Sequence, residues 1–182
     1  MRENVYDLCV VGGAGHVGFP LSLVFASKGL SVLVYDINES ALESIRGGTV
    51  PFREEGAEEL LRETLRSGRL HLSSSAAEVA KAGTVVVTVG TPVDTFLNPI
   101  LQVVKDCVNG LLPYICDEQL LVLRSTVYPG TTELLHKHLV SVGKKTPLAF
   151  CPERVVQGLA IREIQEFPQI VSGPTPAAER RA

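Results

Sequence analysis

The sequence predicts an α/β fold, a doubly wound parallel sheet with helices on both faces. Short β-branched apolar runs alternate with amphipathic segments from end to end of the 182 residues, as expected of strands joined by crossover helices. Two runs, Thr84–Val89 and Leu120–Leu123, are almost continuously apolar, and strands buried on both faces read that way. The first apolar run ends in a cluster of glycines that opens an amphipathic segment, the sequence form of a tight strand-to-helix turn.

Taken in order, the candidate strands are Val5–Val11, Ser31–Tyr35, a short one at Arg69–Leu72, Thr84–Val89, Gln119–Leu123 and Pro147–Phe150. The intervening segments His16–Lys28, Glu39–Arg46, Glu58–Arg66, Ala76–Lys81, Ile100–Leu112 and Thr131–Val142 read as helices. Punctuation supports these limits. Gly29 follows the first helix as a C-terminal cap, Asn38 stands where an N-cap is wanted, and Gly47-Gly48 closes the next helix. Pro92, Pro129 and Pro152 each follow a strand, where a crossover loop leaves the sheet. Residues 1–172 are expected to form one domain. Gly173-Pro174-Thr175-Pro176 and the residues after it are expected to begin a linker toward further chain, since Arg180-Arg181-Ala182 could start a helix without room to finish it.

Composition limits the function classes. With Lys+Arg 17 against Asp+Glu 20 and a formal net charge of −3, there is no basic field to attract nucleic acid or anionic lipid. No apolar run approaches the roughly 20 residues of a spanning helix, and Glu3 and Asp7 interrupt any secretory signal. A cytoplasmic globular protein is expected. Cys9, Cys107, Cys116 and Cys151 form no C-x-x-C pair, and His16, His71, His136 and His138 show no metal-binding spacing. No metal is therefore expected, and the cysteines are read as reduced, mostly as small apolar core residues.

Gly13-Ala14-Gly15-His16-Val17-Gly18 matches G-x-G-x-x-G between a strand and a helix, the context that gives this pattern its meaning in a Rossmann-like domain. Gly13 is expected to permit the tight turn, Gly15 to admit a pyrophosphate to the backbone, and Gly18 to let helix and strand pack closely. The helix N-terminus, with the N–H groups of His16 and Val17, faces the phosphates; the His16 side chain is expected at the rim without a catalytic role. Asp36 ends the second strand near the offset of the acid that binds a ribose 2′-OH, with Ile37 beside it. A carboxylate there repels a 2′-phosphate, and no Arg or Lys follows before Arg46, so NAD is favoured over NADP.

Further motifs carry a resemblance. Gly13–Gly18 with Phe19-Pro20-Leu21, Tyr35-Asp36-Ile37-Asn38, Pro51 through Glu54-Glu55-Gly56, Val89-Gly90-Thr91-Pro92, Arg124-Ser125-Thr126-Val127-Tyr128-Pro129-Gly130-Thr131 and Cys151-Pro152-Glu153-Arg154 through Gly158 occur in that order. Over nearly its whole length the chain resembles the N-terminal domain of the NAD-dependent nucleotide-sugar 6-dehydrogenases, the UDP-glucose, GDP-mannose and UDP-N-acetylmannosamine group. The resemblance implies oxidation of a sugar C6 hydroxyl to a carboxylate with two NAD⁺, through a thioester on a cysteine that is then hydrolysed. It implies that Val89, Gly90 and Thr91 pass the adenosine and pyrophosphate, and that Thr126 lies beside nicotinamide and the catalytic water. It further implies a hydrolytic or proton-relay role for Glu153, while Arg154, Val155 and the residues to Gly158 run along the sugar. P-E-R tilts the UDP-sugar toward UDP-N-acetylmannosamine or UDP-N-acetylglucosamine. The full-length protein is expected to be a homodimer or higher oligomer in polysaccharide precursor synthesis.

Departures qualify the resemblance. Ala41 stands where many members carry Lys or Arg near the adenosine ribose, and Glu55 replaces a common proline. The family's G-x-C nucleophile and its lysine fall beyond residue 182, and Cys151, before Pro152, is not that nucleophile, although it is expected near the cleft. Alone, the chain is expected to bind cofactor without turnover. Two other readings stay open here: a β-hydroxyacid or 6-phosphogluconate type dehydrogenase, and an NAD-sensing regulatory domain without catalysis.

Overall fold

The computed structural model describes residues 4–92, 95 and 100–182. Six parallel strands form one sheet in the order β3-β2-β1-β4-β5-β6. They are β1 (Tyr6–Val11), β2 (Val32–Tyr35), β3 (Leu70–Ser73), β4 (Ala82–Val87), β5 (Leu120–Leu123) and β6 (Leu148–Phe150). The chain runs outward from β1 to β3, then returns to place β4 on the other side of β1. Winding therefore reverses between β1 and β4, and a crevice opens above their carboxyl ends, where open α/β sheets bind ligands.

The period of two in β1 explains both cores. Leu8 and Val10 face one side with Phe19, Leu21 and Leu23 of α1 (Gly18–Ser27). Cys9 and Val11 face the other with Val104 and Val108 of α4 (Leu101–Leu111), and with Leu135 and Leu139 of α5 (Thr131–Ser141). Each fully buried aliphatic side chain contributes on the order of 1.5–3 kcal/mol, so covering both faces is the main stabilising term. Two more helices, α2 (Glu39–Arg46) and α3 (Ala57–Arg66), lie between β2 and β3. Asn38 caps α2 by accepting the Ala41 N–H at 3.2 Å, while Gly29 and Gly48 take positive φ after their helices, all as the sequence indicates.

Several expectations are corrected. Ala76–Lys81 is a 3₁₀ turn and not an α-helix: six residues lead straight into β4, and Val79 is the one residue of the turn that is buried. The first helix starts at Gly18 and not at His16, because residues 12–17 are spent on the turn. β4 begins and ends two residues before the predicted strand. Two short helices have no counterpart among the predicted elements: α6 (Ala160–Glu166) and α7 (Pro176–Arg181). The second follows a Thr175 cap that accepts the Ala178 N–H, with proline in its first turn. Ala178 is buried, and Ser172 forms an antiparallel bridge with Phe150. Among the described residues no helix is long and apolar enough to cross a membrane, and no His/Cys/Asp/Glu cluster could hold a metal ion.

Candidate functional site

The crevice at the winding switch is a cleft of about 770 Å³. Its floor is the turn between β1 and α1. Gly12, not Gly13, carries the left-handed conformation, at φ +75°. The N–H groups of Gly12 and Gly13 both donate to the Tyr35 carbonyl, at 2.9 and 3.1 Å, and the Gly15 N–H closes the turn on Gly12 O at 3.1 Å. Gly13 is needed for space instead: a Cβ there would lie 2.6 Å from Val10 O and 2.9 Å from Val34 Cγ1. Gly18 is tighter still, since a Cβ there would lie 2.5 Å from Gly12 O and 2.6 Å from Thr88 Oγ1. At Gly15 the nearest atom would be Gly12 O at 3.3 Å, a mild squeeze. Internal packing thus explains Gly13 and Gly18, whereas Gly15 borders the open cleft, where a bare backbone admits a ligand.

Asp36 is held in place from both sides. Its Oδ2 accepts the Ala14 N–H at 3.0 Å and its Oδ1 the Asn38 N–H at 3.0 Å. A carboxylate has about four acceptor positions, so two remain for a diol at the end of β2. The exposed Ile37 follows, at 83% accessibility. The opposite wall is formed by Val89 and Gly90 after β4 and by Val103, Asp106, Cys107 and Gly110 on α4. His16 is exposed at the rim, and its ring packs against Phe52 with centroids 4.0 Å apart.

Gly15, His16, Val17, Asp36, Ile37, Val89 and Gly90 are thus brought together in one cleft. Gly13 and Gly18 lie beneath it as packing positions. Thr91, Thr126, Glu153, Arg154 and Val155 are outside its lining. Thr126 is exposed just past β5, and α5 is capped by Gly130, so Thr126 is no helix cap. Glu153 is almost enclosed. Its Oε2 accepts Arg124 Nε at 2.7 Å, its Oε1 accepts the backbone N–H of Arg154 at 2.7 Å and of Val155 at 3.2 Å, and Arg124 Nη1 donates to Gln169 at 2.6 Å. Beside this cluster, burial pushes the Cys151 thiol pKa up, with Arg124 opposing. Cys151 faces an apolar groove with Leu21, Phe25 and Val122 on the α1 side of the sheet, away from the cofactor cleft, which corrects its expected position.

A second cavity adjoins the cleft at His16 and Gln157, bounded by Arg53, Glu54, Glu55, Gly158 and Leu159. Its edge is tied by the buried Glu54 carboxylate, which accepts the N–H groups of Gly158 at 2.9 Å and Ile161 at 3.2 Å. This anchors residues 157–161, and with them the start of α6, to the loop before α3. Glu54 belongs to a quoted motif, yet only the fold reveals its partners a hundred residues away. Val103, Asp106, Cys107 and Gly110 also line the cleft without any motif to mark them; α4 reaches the site through the topology.

Cys107 offers a probe of the cleft wall. Burial pushes its thiol pKa up to about 11, so roughly one molecule in a thousand carries the reactive thiolate at pH 8. Its alkylation by iodoacetamide, followed by peptide mass spectrometry, should accelerate about tenfold per pH unit from pH 7 to 10 and be suppressed by a ligand filling the cleft. A rate independent of pH would contradict the buried environment. The sign for stability is the reverse of a carboxylate's: a folded-state pKa above the unfolded value of about 8.5 stabilises the fold below that pH, and the benefit is lost as pH rises toward 11.

Comparison with known proteins gives concordant matches. The UDP-glucose/GDP-mannose dehydrogenase family, NAD binding domain, matches residues 6–182. A UDP-N-acetyl-D-mannosamine dehydrogenase of Methanococcus vannielii is 32% identical over 176 residues, covering 94% of this chain and 40% of the relative. Among solved structures, a UDP-glucose dehydrogenase from Pyrobaculum islandicum superposes with a TM-score of 0.88 at 30% identity, covering 98% of this chain and 43% of that one. The UDP-D-ManNAc dehydrogenase of Pyrococcus horikoshii superposes with a TM-score of 0.89 at 26% identity, covering 96% and 42%. The chain spans about 40% of the length of the curated relatives it matches.

Proposed function

We propose a function that starts from family membership: this chain belongs to the UDP-glucose/GDP-mannose dehydrogenase family, as its NAD-binding domain. The whole protein, in this reading, oxidises the C6 hydroxyl of a UDP-sugar to the carboxylate, with UDP-N-acetylmannosamine as the substrate. The relatives named UDP-N-acetyl-D-mannosamine dehydrogenase support that choice, as does the Pro152-Glu153-Arg154 sequence. The place of action is the cytoplasm, in the supply of uronate precursors for polysaccharide, and the assembled protein is a homodimer or larger homo-oligomer.

The observation that carries the cofactor assignment is Asp36, a carboxylate fastened to the glycine turn and facing the cleft at the winding switch. The residues present fit NAD. Gly15, His16 and Val17 would hold the pyrophosphate at the start of α1, and Asp36 would take the ribose hydroxyls; Val89 and Gly90 would form the β4 side, with Thr91 assigned next to them. Bound there, the cofactor supplies the acceptor for the hydride leaving C6. The chain's own residues do the rest of what this domain contributes. Thr126 is assigned to orient water past β5. Glu153 is assigned to the hydrolytic or relay step; Arg124 through Nε and Nη2 and the N–H groups of Arg154 and Val155 hold its carboxylate, so that step would require one of these donors to give way to water. Arg154 and Val155 are assigned to the sugar.

Calorimetric titration of the chain is expected to show NAD⁺ bound in clear preference to NADP⁺. Asp36→Ala should weaken NAD⁺ about tenfold, the loss of a charge-assisted hydrogen bond, and narrow the preference; unchanged selectivity would remove Asp36 from ribose recognition. Expressed from its full reading frame, the protein should form two NADH per UDP-N-acetylmannosamine. NAD⁺ binding without sugar-dependent reduction would instead make this a cofactor-sensing domain.

A further inference from the structure

We infer that Asp106 reads the exocyclic amino group of the cofactor's adenine, in a slot cut into α4 by Gly110; the inference rests on the NAD site proposed above. The cleft divides by chemistry. Its inner end, at Gly15, His16 and Val17, suits phosphate, and Asp36 suits the ribose next to it. Beyond Asp36 the lining includes Ile37 and, from the α4 side, Val103, Asp106, Cys107, Gly110 and Leu111 with the half-buried Tyr35 of β2. That is the space left for a base.

The α4 residues of this wall fall at positions 103, 106, 107, 110 and 111, one stripe of a 3.6-residue period. All but Asp106 give a largely apolar surface. Gly110 has no internal reason to be glycine: a Cβ there would meet nothing within 4 Å, and glycine inside a helix is unfavourable relative to alanine. It borders the cleft, so its missing side chain is accounted for by what enters the cleft. Ile37, exposed at 83%, is the matching apolar contact across the slot.

An apolar slot alone takes any flat base, because every base has a π-face. Discrimination requires a polar group, and beyond Asp36 the described lining has one strong acceptor, Asp106. Gln102, one turn earlier, donates to its Oδ1 at 2.7 Å; Oδ2 receives no hydrogen bond from a described residue. This arrangement steadies the carboxylate, and no described residue competes with a ligand for Oδ2. An ionised carboxylate only accepts. It therefore favours the adenine N6 amino group, a donor, and opposes hypoxanthine, which presents a carbonyl oxygen at the same place.

The test compares NAD⁺ with nicotinamide hypoxanthine dinucleotide in calorimetric titrations of the chain. Wild type should prefer NAD⁺ by about tenfold, the size of one charge-assisted hydrogen bond. Asp106→Ala should weaken NAD⁺ and leave the hypoxanthine analogue unchanged, erasing the preference. Asp106→Asn, whose amide can donate to the carbonyl, should erase or reverse it. Gly110→Leu should raise the melting temperature, as expected of a better helix former, while weakening both dinucleotides alike. Equal wild-type affinity for the two, or a proportional loss of both in Asp106→Ala, would overturn the assignment of Asp106 while leaving the NAD site standing. Unimpaired binding to Gly110→Leu would overturn the slot. Binding of neither dinucleotide by wild type would overturn the NAD reading itself, and this inference with it.

Discussion

Gly18→Ala is expected to lower the melting temperature by about 6–12 °C. The added methyl would sit 2.5 Å from Gly12 O, 2.6 Å from Thr88 Oγ1 and 2.8 Å from Gly13 Cα. Two of these atoms are backbone in the turn itself. The third cannot swing aside freely, since the Thr88 hydroxyl donates to Val11 O at 2.8 Å and Gly12 O at 3.2 Å. Helix propensity favours alanine by up to about 1 kcal/mol, but three contacts under 3.0 Å on fixed atoms put the overpacking cost above the usual 1–3 kcal/mol, at about 4 kcal/mol. The net loss of roughly 3 kcal/mol corresponds to that shift for a domain of this size. NAD⁺ affinity should fall as well, because α1 is displaced from the turn that aims its first N–H groups. Calorimetric melting of wild type, Gly18→Ala and Gly15→Ala decides the point. Gly15→Ala should lose binding with a smaller change in melting temperature, its Cβ being 3.3 Å from one oxygen. A Gly18→Ala protein melting within about 2 °C of wild type would contradict the described turn.

Arg124→Met should be comparably destabilising, by about 3 kcal/mol. The Arg124 and Glu153 side chains are 8% and 9% exposed, so removing the guanidinium leaves a desolvated carboxylate. Breaking one half of a buried pair typically costs about 3–5 kcal/mol, whereas replacing both halves with apolar groups is often neutral or better. Glu153 keeps two backbone N–H donors, which puts the expected loss at the lower end. Gln169 also loses its Arg124 donor. The paired variant Arg124→Met/Glu153→Leu should recover at least half of the loss in chemical denaturation. If Arg124→Met unfolds at the wild-type midpoint, the pair is not the restraint that fixes residues 152–155; if the double variant is no better than the single, desolvation of Glu153 is not the cause.

The recognition of the fold and of one side of the cleft needs only local patterns. Gly15 and Asp36 are legible because their chemistry is local: a strand, a bare turn and an acid at the next strand end. Gly12 shows how local reading misplaces a role, since the motif names Gly13 for the turn whereas the backbone puts positive φ one residue earlier. Helix α6 escapes prediction because it is short and its first turn is met by Glu54, more than a hundred residues away. Cys151 follows a strand, which suggests a place near the cleft, but its side chain faces the α1 side of the sheet.

Residue order alone is enough for the doubly wound sheet, the family and the cofactor class. Strand burial on two faces, the glycine turn and the acid at the end of β2 are written in residue type and short spacing, and such constraints act within one supersecondary unit. The folded chain is needed to learn which parts of α4 line the cleft, that Glu153 is held by Arg124, and that Glu54 fastens one loop to another. Those contacts join residues separated by 29 to 107 positions or lie on a helix placed by the winding of the sheet. The pairings follow from how the strands pack into one sheet, a property of the whole chain that no local run of residues contains.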